Sequence, residues 1–129
     1  MSVTATGIRG INLVCVATPD QDGAIAFYES LGFEKRTDIP MGGGYRWVEV
    51  YPPSGPTGIA LAPPRPGDEV TPAETGIVLT TDDIDTAHAQ FKSLGVDVDD
   101  DVSRMGDPVP PMFWFRDPTG HSLMVVEQR

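Results

Sequence analysis

The sequence predicts an α+β fold in which two tandem βαβββ modules form one curved mixed sheet around a cup, with the helices on the outside. Two observations predict it: an internal repeat, and the same order of elements in each copy. The segment DQDGAIAFYESLGFE (residues 20–34) recurs as DIDTAHAQFKSLGVD (residues 83–97), 63 positions later. Repetition at a fixed spacing reports architecture, and two copies of roughly 60 residues are too few for a solenoid and indicate a duplicated half-domain.

The first copy reads as a strand, a helix and three further strands. Residues 7–18 are rich in β-branched and apolar side chains, as expected of a strand. Asp20 or Asp22 is suited to cap the helix that follows, and Gly32 is placed to end it. The remaining predicted strands of this copy are residues 33–39, 45–52 and 59–63.

The second copy repeats the order, and the two copies together predict one domain over residues 1–129. Module one spans residues 7–63, a proline-rich linker spans 64–74, and module two spans 75–128. One module alone would leave an apolar sheet face bare, so the two modules are expected to pair. Module two comprises strands over 76–81, 96–102, 111–117 and 121–128 and a helix over 83–94.

Composition excludes several classes of function. Nineteen acidic and nine basic residues give a net charge of −10, and nucleic-acid binders normally present a basic face, so no nucleic-acid partner is expected. No run of 18 apolar residues is present to span a membrane, and the first residues lack the pattern of a secretion signal. A single cysteine, Cys15, excludes an intrachain disulfide. The chain is therefore expected to be cytoplasmic.

Three motifs carry a family resemblance that covers almost the whole chain. They are D-x-D-x-A-x-A-F-Y-x-S-L-G-F in the first copy, TTDDID…F…LGV in the second, and the closing FWFRDPTGHSLMVVEQ. With these motifs the chain resembles the vicinal oxygen chelate superfamily, which includes glyoxalase I, extradiol dioxygenases, fosfomycin-resistance enzymes and bleomycin-resistance proteins. One such fold hosts many chemistries, so the site must decide the function.

The resemblance also implies where a metal would bind. Members with metal chemistry hold a divalent ion with His, Gln or Glu side chains from the first and last strands of each module. None of the matching positions here offers an imidazole or a hard oxygen donor, which divalent cations require. We therefore predict no metal and no other cofactor. The four positions are Leu13, Ala60, Gly76 and Met124.

The wall of the cup is predicted from strand parity and from aromatic content. Glu49 alternates with Trp47 on one strand, and is interpreted either as a cation-binding or general-base carboxylate or as an exposed edge charge. His121 is interpreted either as a base or ligand at the cup mouth or as a cap of the preceding turn. These two are the weak catalytic candidates. The predicted ligand-binding residues are Leu13, Cys15, Trp47, Glu49, Ala60, Met112, Trp114 and Met124.

These residues favour a metal-free protein that binds a small aromatic or cationic molecule in an apolar cup. Sequestration of a drug or metabolite, as in bleomycin-resistance proteins, is the leading hypothesis, with a homodimer whose cups are completed across the interface. A second hypothesis is an enzyme, either a metal-dependent lyase, isomerase or dioxygenase or an acid–base catalyst using Glu49 or His121. A third is an interaction domain whose cup is filled by its own side chains.

Overall fold

The computed structural model describes residues 6–128, and within them the βαβββ order occurs twice, as predicted. No helix in this range is long and apolar enough to cross a lipid bilayer. The elements of module one are β1 (Leu13–Ala17), α1 (Gln21–Ser30), β2 (Glu34–Gly42), β3 (Tyr45–Tyr51) and β4 (Gly58–Ala62). Those of module two are β5 (Glu74–Thr81), α2 (Ile84–Ser93), β6 (Asp97–Val98), β7 (Met112–Arg116) and β8 (Ser122–Glu127).

The repeated aspartate of each module starts a helix. The Asp20 carboxylate accepts a hydrogen bond of 3.0 Å from the backbone N–H three residues later, and Asp83 does the same at 3.1 Å with Thr86. These bonds stabilise the ionised carboxylate and lower the pKa of Asp83. The repeated glycines follow the helices in the left-handed conformation, with φ of 98° at Gly32 and 76° at Gly95.

The strands form two four-stranded sheets, which corrects the prediction of one continuous curved sheet. The strand orders are β1-β4-β3-β2 and β5-β8-β7-β6. In each sheet the first strand pairs in parallel with the last, and the other pairs are antiparallel. Strands β1 and β5 both lie at sheet edges, so neither hydrogen-bonds across the module boundary to extend one sheet into the other.

One hydrophobic core joins the two modules. Phe27 of α1 lies 6.2 Å from Phe115 of β7 between ring centroids, and Phe91 of α2 lies 4.9 Å from the same ring. Because residues alternate across a strand, only one face of each sheet enters this core. The helices thus pack against the core faces, and the opposite faces point away from it. The strand residues in the core are Val16, Val48, Val50, Ile59, Leu61, Phe113, Phe115, Leu123 and Val125.

A buried polar contact reinforces this junction. The Tyr28 hydroxyl, on a side chain with no exposed surface, donates a 3.1 Å hydrogen bond to Asp117 of module two. The other oxygen of Asp117 accepts the backbone N–H groups of Thr119 at 3.0 Å and His121 at 2.9 Å. Burial, followed by the neighbouring Asp117 charge and hydrogen bond, raises the pKa of Tyr28 well above its ordinary value.

We predict that Tyr28→Phe lowers the free energy of unfolding by about 1–3 kcal/mol, because it leaves a buried carboxylate oxygen without its donor. Above about pH 10 the unfolded chain loses the tyrosine proton while folded Tyr28 keeps it, so wild-type stability falls as pH rises. In Tyr28→Phe the free energy of unfolding should fall less steeply between about pH 10 and pH 11 than in the wild type. Urea unfolding between pH 7 and pH 11 measures both effects.

Tyr45→Phe is the matched control for this prediction. The Tyr45 hydroxyl also donates one hydrogen bond, to the Pro64 carbonyl at 3.2 Å, but in a half-buried position between module one and the start of the linker. Its loss should cost less than the loss of the Tyr28 hydroxyl. Equal losses in the two variants would contradict the importance of the junction contact.

Candidate functional site

The predicted wall residues lie on the faces opposite the helices, which we call the outer faces. In module one, strand register places Cys15 beside Ala60 and Ala60 beside Glu49. In module two, Trp114 lies beside Met124. The structure therefore brings the predicted residues together as two groups on separate sheets. The first group is Leu13, Cys15, Trp47, Glu49 and Ala60, and the second is Met112, Trp114 and Met124.

Glu49 is held by two side-chain hydrogen bonds on the outer face of module one. Its Oε2 accepts a 2.7 Å hydrogen bond from the Trp47 indole N–H, and its Oε1 accepts a 2.8 Å bond from the Tyr51 hydroxyl. Both donors are neutral, and among residues 6–128 no lysine or arginine forms an ion pair with it. The carboxylate is thus fixed in position while its charge is left to attract a cation.

Tyr51 belongs to this site although it is absent from the predicted set. Its position could have been predicted from the sequence, because Tyr51 is the next residue after Tyr45, Trp47 and Glu49 on the same face of β3. The hydrogen bond to Glu49, together with desolvation, raises the pKa of Tyr51, so the phenol stays a donor to higher pH than an ordinary tyrosine. The site is therefore a Trp47–Glu49–Tyr51 triplet on one strand.

The Tyr51 ring is held between a cation and a glycine. The Arg36 guanidinium carbon lies 4.6 Å from the ring centroid, within range of a cation–π contact. On β4, an ideal Cβ built at Gly58 would lie 2.7 Å from the ring carbons, so any larger residue there would displace Tyr51. Arg36 is itself fixed, because it donates to the Pro53 carbonyl at 3.1 Å.

The other predicted residues differ in accessibility. Cys15 is exposed. Ala60 is fully buried, so its side chain is not accessible in the single chain. The rest are half-buried: Leu13, Trp47, Met112, Trp114 and Met124.

The residues at the expected ligand positions do not fit a divalent metal. Leu13 and Ala60 share the outer face of module one, and Met124 lies on that of module two. Gly76 lies in an irregular stretch of β5, with φ of 72°, so Val78 is the residue beside Met124. In the part of the chain from 6 to 128, no three His, Cys, Asp or Glu side chains lie close enough to share an ion.

His121 lines a pocket together with Cys15 of the first group, and both of its ring nitrogens are hydrogen-bonded. Its Nε2 donates to the Ala17 carbonyl at 3.0 Å, and its Nδ1 accepts the Ala73 N–H at 3.1 Å. The ring is buried, with 4% of the residue exposed. These partners require the neutral Nε2–H tautomer. His121 thus ties β1 and the linker to the turn before β8, and neither ring nitrogen is free to act as a base.

We predict that Gly58→Ala displaces the Tyr51 ring and lowers the free energy of unfolding by about 1–3 kcal/mol through overpacking. The near-ultraviolet circular dichroism of Trp47 and Tyr51 should change with it. Gly55→Ala is the matched control, because its nearest neighbour would lie at an ordinary 3.4 Å. A Gly58→Ala protein with the stability and spectrum of the control would contradict the proposed clamp on Tyr51.

The chain matches known proteins along nearly its whole length. It is 32% identical to a member of the Glyoxalase/bleomycin resistance protein/dioxygenase superfamily from Sphaerobacter thermophilus DSM 20745. The TM-score is 0.83, over 94% of this chain and 98% of that one. It is 30% identical to TnmS3, an antibiotic binding protein from Streptomyces sp. CB03234, with a TM-score of 0.78 over 95% and 98% of the two chains. The uncharacterised protein YetH of Bacillus subtilis (strain 168) is 29% identical over 93% of this chain and 99% of its own. Residues 10–125 match the family model, and the chain belongs to the Glyoxalase/Bleomycin resistance protein/Dioxygenase superfamily.

Proposed function

We propose that this protein is a homodimer that binds a small aromatic cation without a metal, in pockets formed between the outer face of module one in one chain and that of module two in the other. The observation that carries the proposal is Glu49, fixed between Trp47 and Tyr51 and left without a basic partner. An aromatic wall with one oriented carboxylate is suited to a flat cation, through stacking, cation–π contact and charge.

The apolar content of the outer faces supports pairing of two chains. Val78 is 48% exposed beside Met124, and Ile39 is 51% exposed beside Trp47. Apolar surface of this kind, on faces that also carry half-buried tryptophans, marks an interaction or binding site. A two-fold dimer would cover both outer faces of each chain, because the contact between module one of one chain and module two of the other occurs twice, once on each side of the axis.

Apolar burial supplies enough free energy for useful affinity. Covering roughly 200 Å² of apolar ligand surface contributes about 5 kcal/mol before association costs, at about 25 cal/mol per Å². The Glu49 carboxylate adds an interaction with a cationic group and orients the ligand.

Sequestration is the activity that this site supports best. The four expected ligand positions carry two aliphatic side chains, a glycine and a thioether, a donor set unsuited to holding a catalytic divalent ion. The relative TnmS3 is an antibiotic binding protein, which supports the same role for this chain. We infer that the protein withholds a drug-like or secondary-metabolite cation rather than transforming it.

Proflavine, a planar cation, is expected to bind saturably and to quench tryptophan fluorescence, while the anionic anthraquinone-2-sulfonate binds more weakly. Glu49→Gln should weaken proflavine binding by about tenfold, equivalent to about 1.4 kcal/mol. Glu29→Gln, at an exposed glutamate of α1, is the matched control and should leave affinity unchanged. Two results would contradict the proposed cation site. One is a wild type that binds both dyes equally well, and the other is a Glu49→Gln protein that binds proflavine as tightly as the wild type.

Metal removal tests the other half of the proposal. Dialysis against EDTA should change proflavine affinity by less than about twofold, because apolar contact and Glu49 supply the binding. Metal analysis of protein purified without chelator tests the same assignment, and it should find much less than one divalent ion per chain. Loss of binding in EDTA that Mn²⁺ or Zn²⁺ restores would overturn the metal-free assignment.

A further inference from the structure

A cavity of about 430 Å³ lies on the helix side of the sheets, where the two modules meet. Module one contributes the chain after α1 and the core side of β4, and module two contributes β5 and α2. None of the eight predicted wall residues lines it. Its principal apolar lining residues are Leu31, Phe33, Ile59, Ile77, Leu79 and Phe91.

The lining of this cavity is uncharged. Although the chain has 19 acidic and 9 basic residues, no charged side chain from residues 6–128 lines the cavity. Its polar side chains are three threonines and Gln90. Two of the threonine hydroxyls already donate to backbone carbonyls, Thr57 to Ile11 at 2.7 Å and Thr81 to Asp83 at 3.4 Å. Such walls penalise a charged guest, which would lose its hydration without gaining a partner.

We propose that this cavity is a second ligand site, for an uncharged and mainly apolar organic molecule. Its volume falls in the range of about 300–1,000 Å³ that is typical of small-molecule sites. The lack of charge distinguishes it from the outer faces, where Glu49 favours a cation. The site shares Val78 of the edge strand β5 with the outer face of module two, but it contains none of the eight predicted wall residues, so it does not depend on the proposed function of the outer faces.

Occupancy of this cavity would stabilise the junction between the modules. A guest contacts Phe33 and Ile59 of module one and Leu79 and Phe91 of module two at once. A ligand that binds only the folded pairing of modules raises the stability of that pairing by mass action. The thermal midpoint should therefore rise with the concentration of a neutral guest.

The test uses 1-aminoanthracene, a neutral fluorophore at pH 7, and the anionic 8-anilinonaphthalene-1-sulfonate for comparison. The wild type should bind the neutral probe saturably and more tightly than the anionic one. Ala87→Phe fills the cavity and should weaken the neutral probe by about tenfold or more. Ala89→Phe is the matched control, because Ala89 is exposed on the same helix and outside the lining. Gln90→Trp, at an exposed rim position, gives a second blocking variant should Ala87→Phe fail to fold.

The outer-face substitutions Trp47→Ala and Trp114→Ala separate the two sites. Both should leave 1-aminoanthracene binding within about twofold of the wild type, even though they weaken proflavine. The proposal is overturned if the blocking variants bind the neutral probe like the control, or if binding disappears with the two tryptophans.

Discussion

The packing of α1 against the second module determines how the rest of the molecule is used. Phe27 lies against Phe115, and Tyr28 donates a hydrogen bond to Asp117. The helix sides of both sheets are therefore buried in one shared core. The outer faces then lie on two separate sheets, each on the side opposite the shared core. Under the proposed function a second chain completes each cup, and the contact between the modules leaves a cavity on the helix side of the sheets.

The duplication places different chemistry at equivalent positions. The outer face of module one has a polar centre, in which Trp47 and Tyr51 hold the Glu49 carboxylate. The outer face of module two carries Trp114 and Met124 side by side, and its charged residue Arg116 is already paired with Asp97 and Asp99. A pocket built from one face of each kind would grip a flat molecule from the side of module two and orient its charged group from the other. If both faces carried identical residues, a bound molecule would have no preferred orientation in the pocket.

Local features and the repeat could be predicted from the sequence. Features that depend on contacts between residues far apart in the chain could not. Helix starts at Asp20 and Asp83 follow from side-chain capping, which acts over three residues. The Trp47–Glu49 face follows from strand alternation. By contrast, the contact of Tyr28 with Asp117 joins positions 89 residues apart, and no local pattern reports it. The same holds for the hydrogen bonds that join the His121 ring to the backbone of Ala17 and Ala73, and for the separation of the strands into two sheets.

The central claim is that each cup joins module one of one chain to module two of another, and subunit complementation tests it most directly. Differently tagged Trp47→Ala and Trp114→Ala chains are co-expressed, and the mixed dimer is purified and titrated with proflavine. One cup of this dimer would combine two intact faces, so it should retain about half of the wild-type sites at wild-type affinity. A mixed dimer that binds as poorly as either parent would show that each cup is built within a single chain.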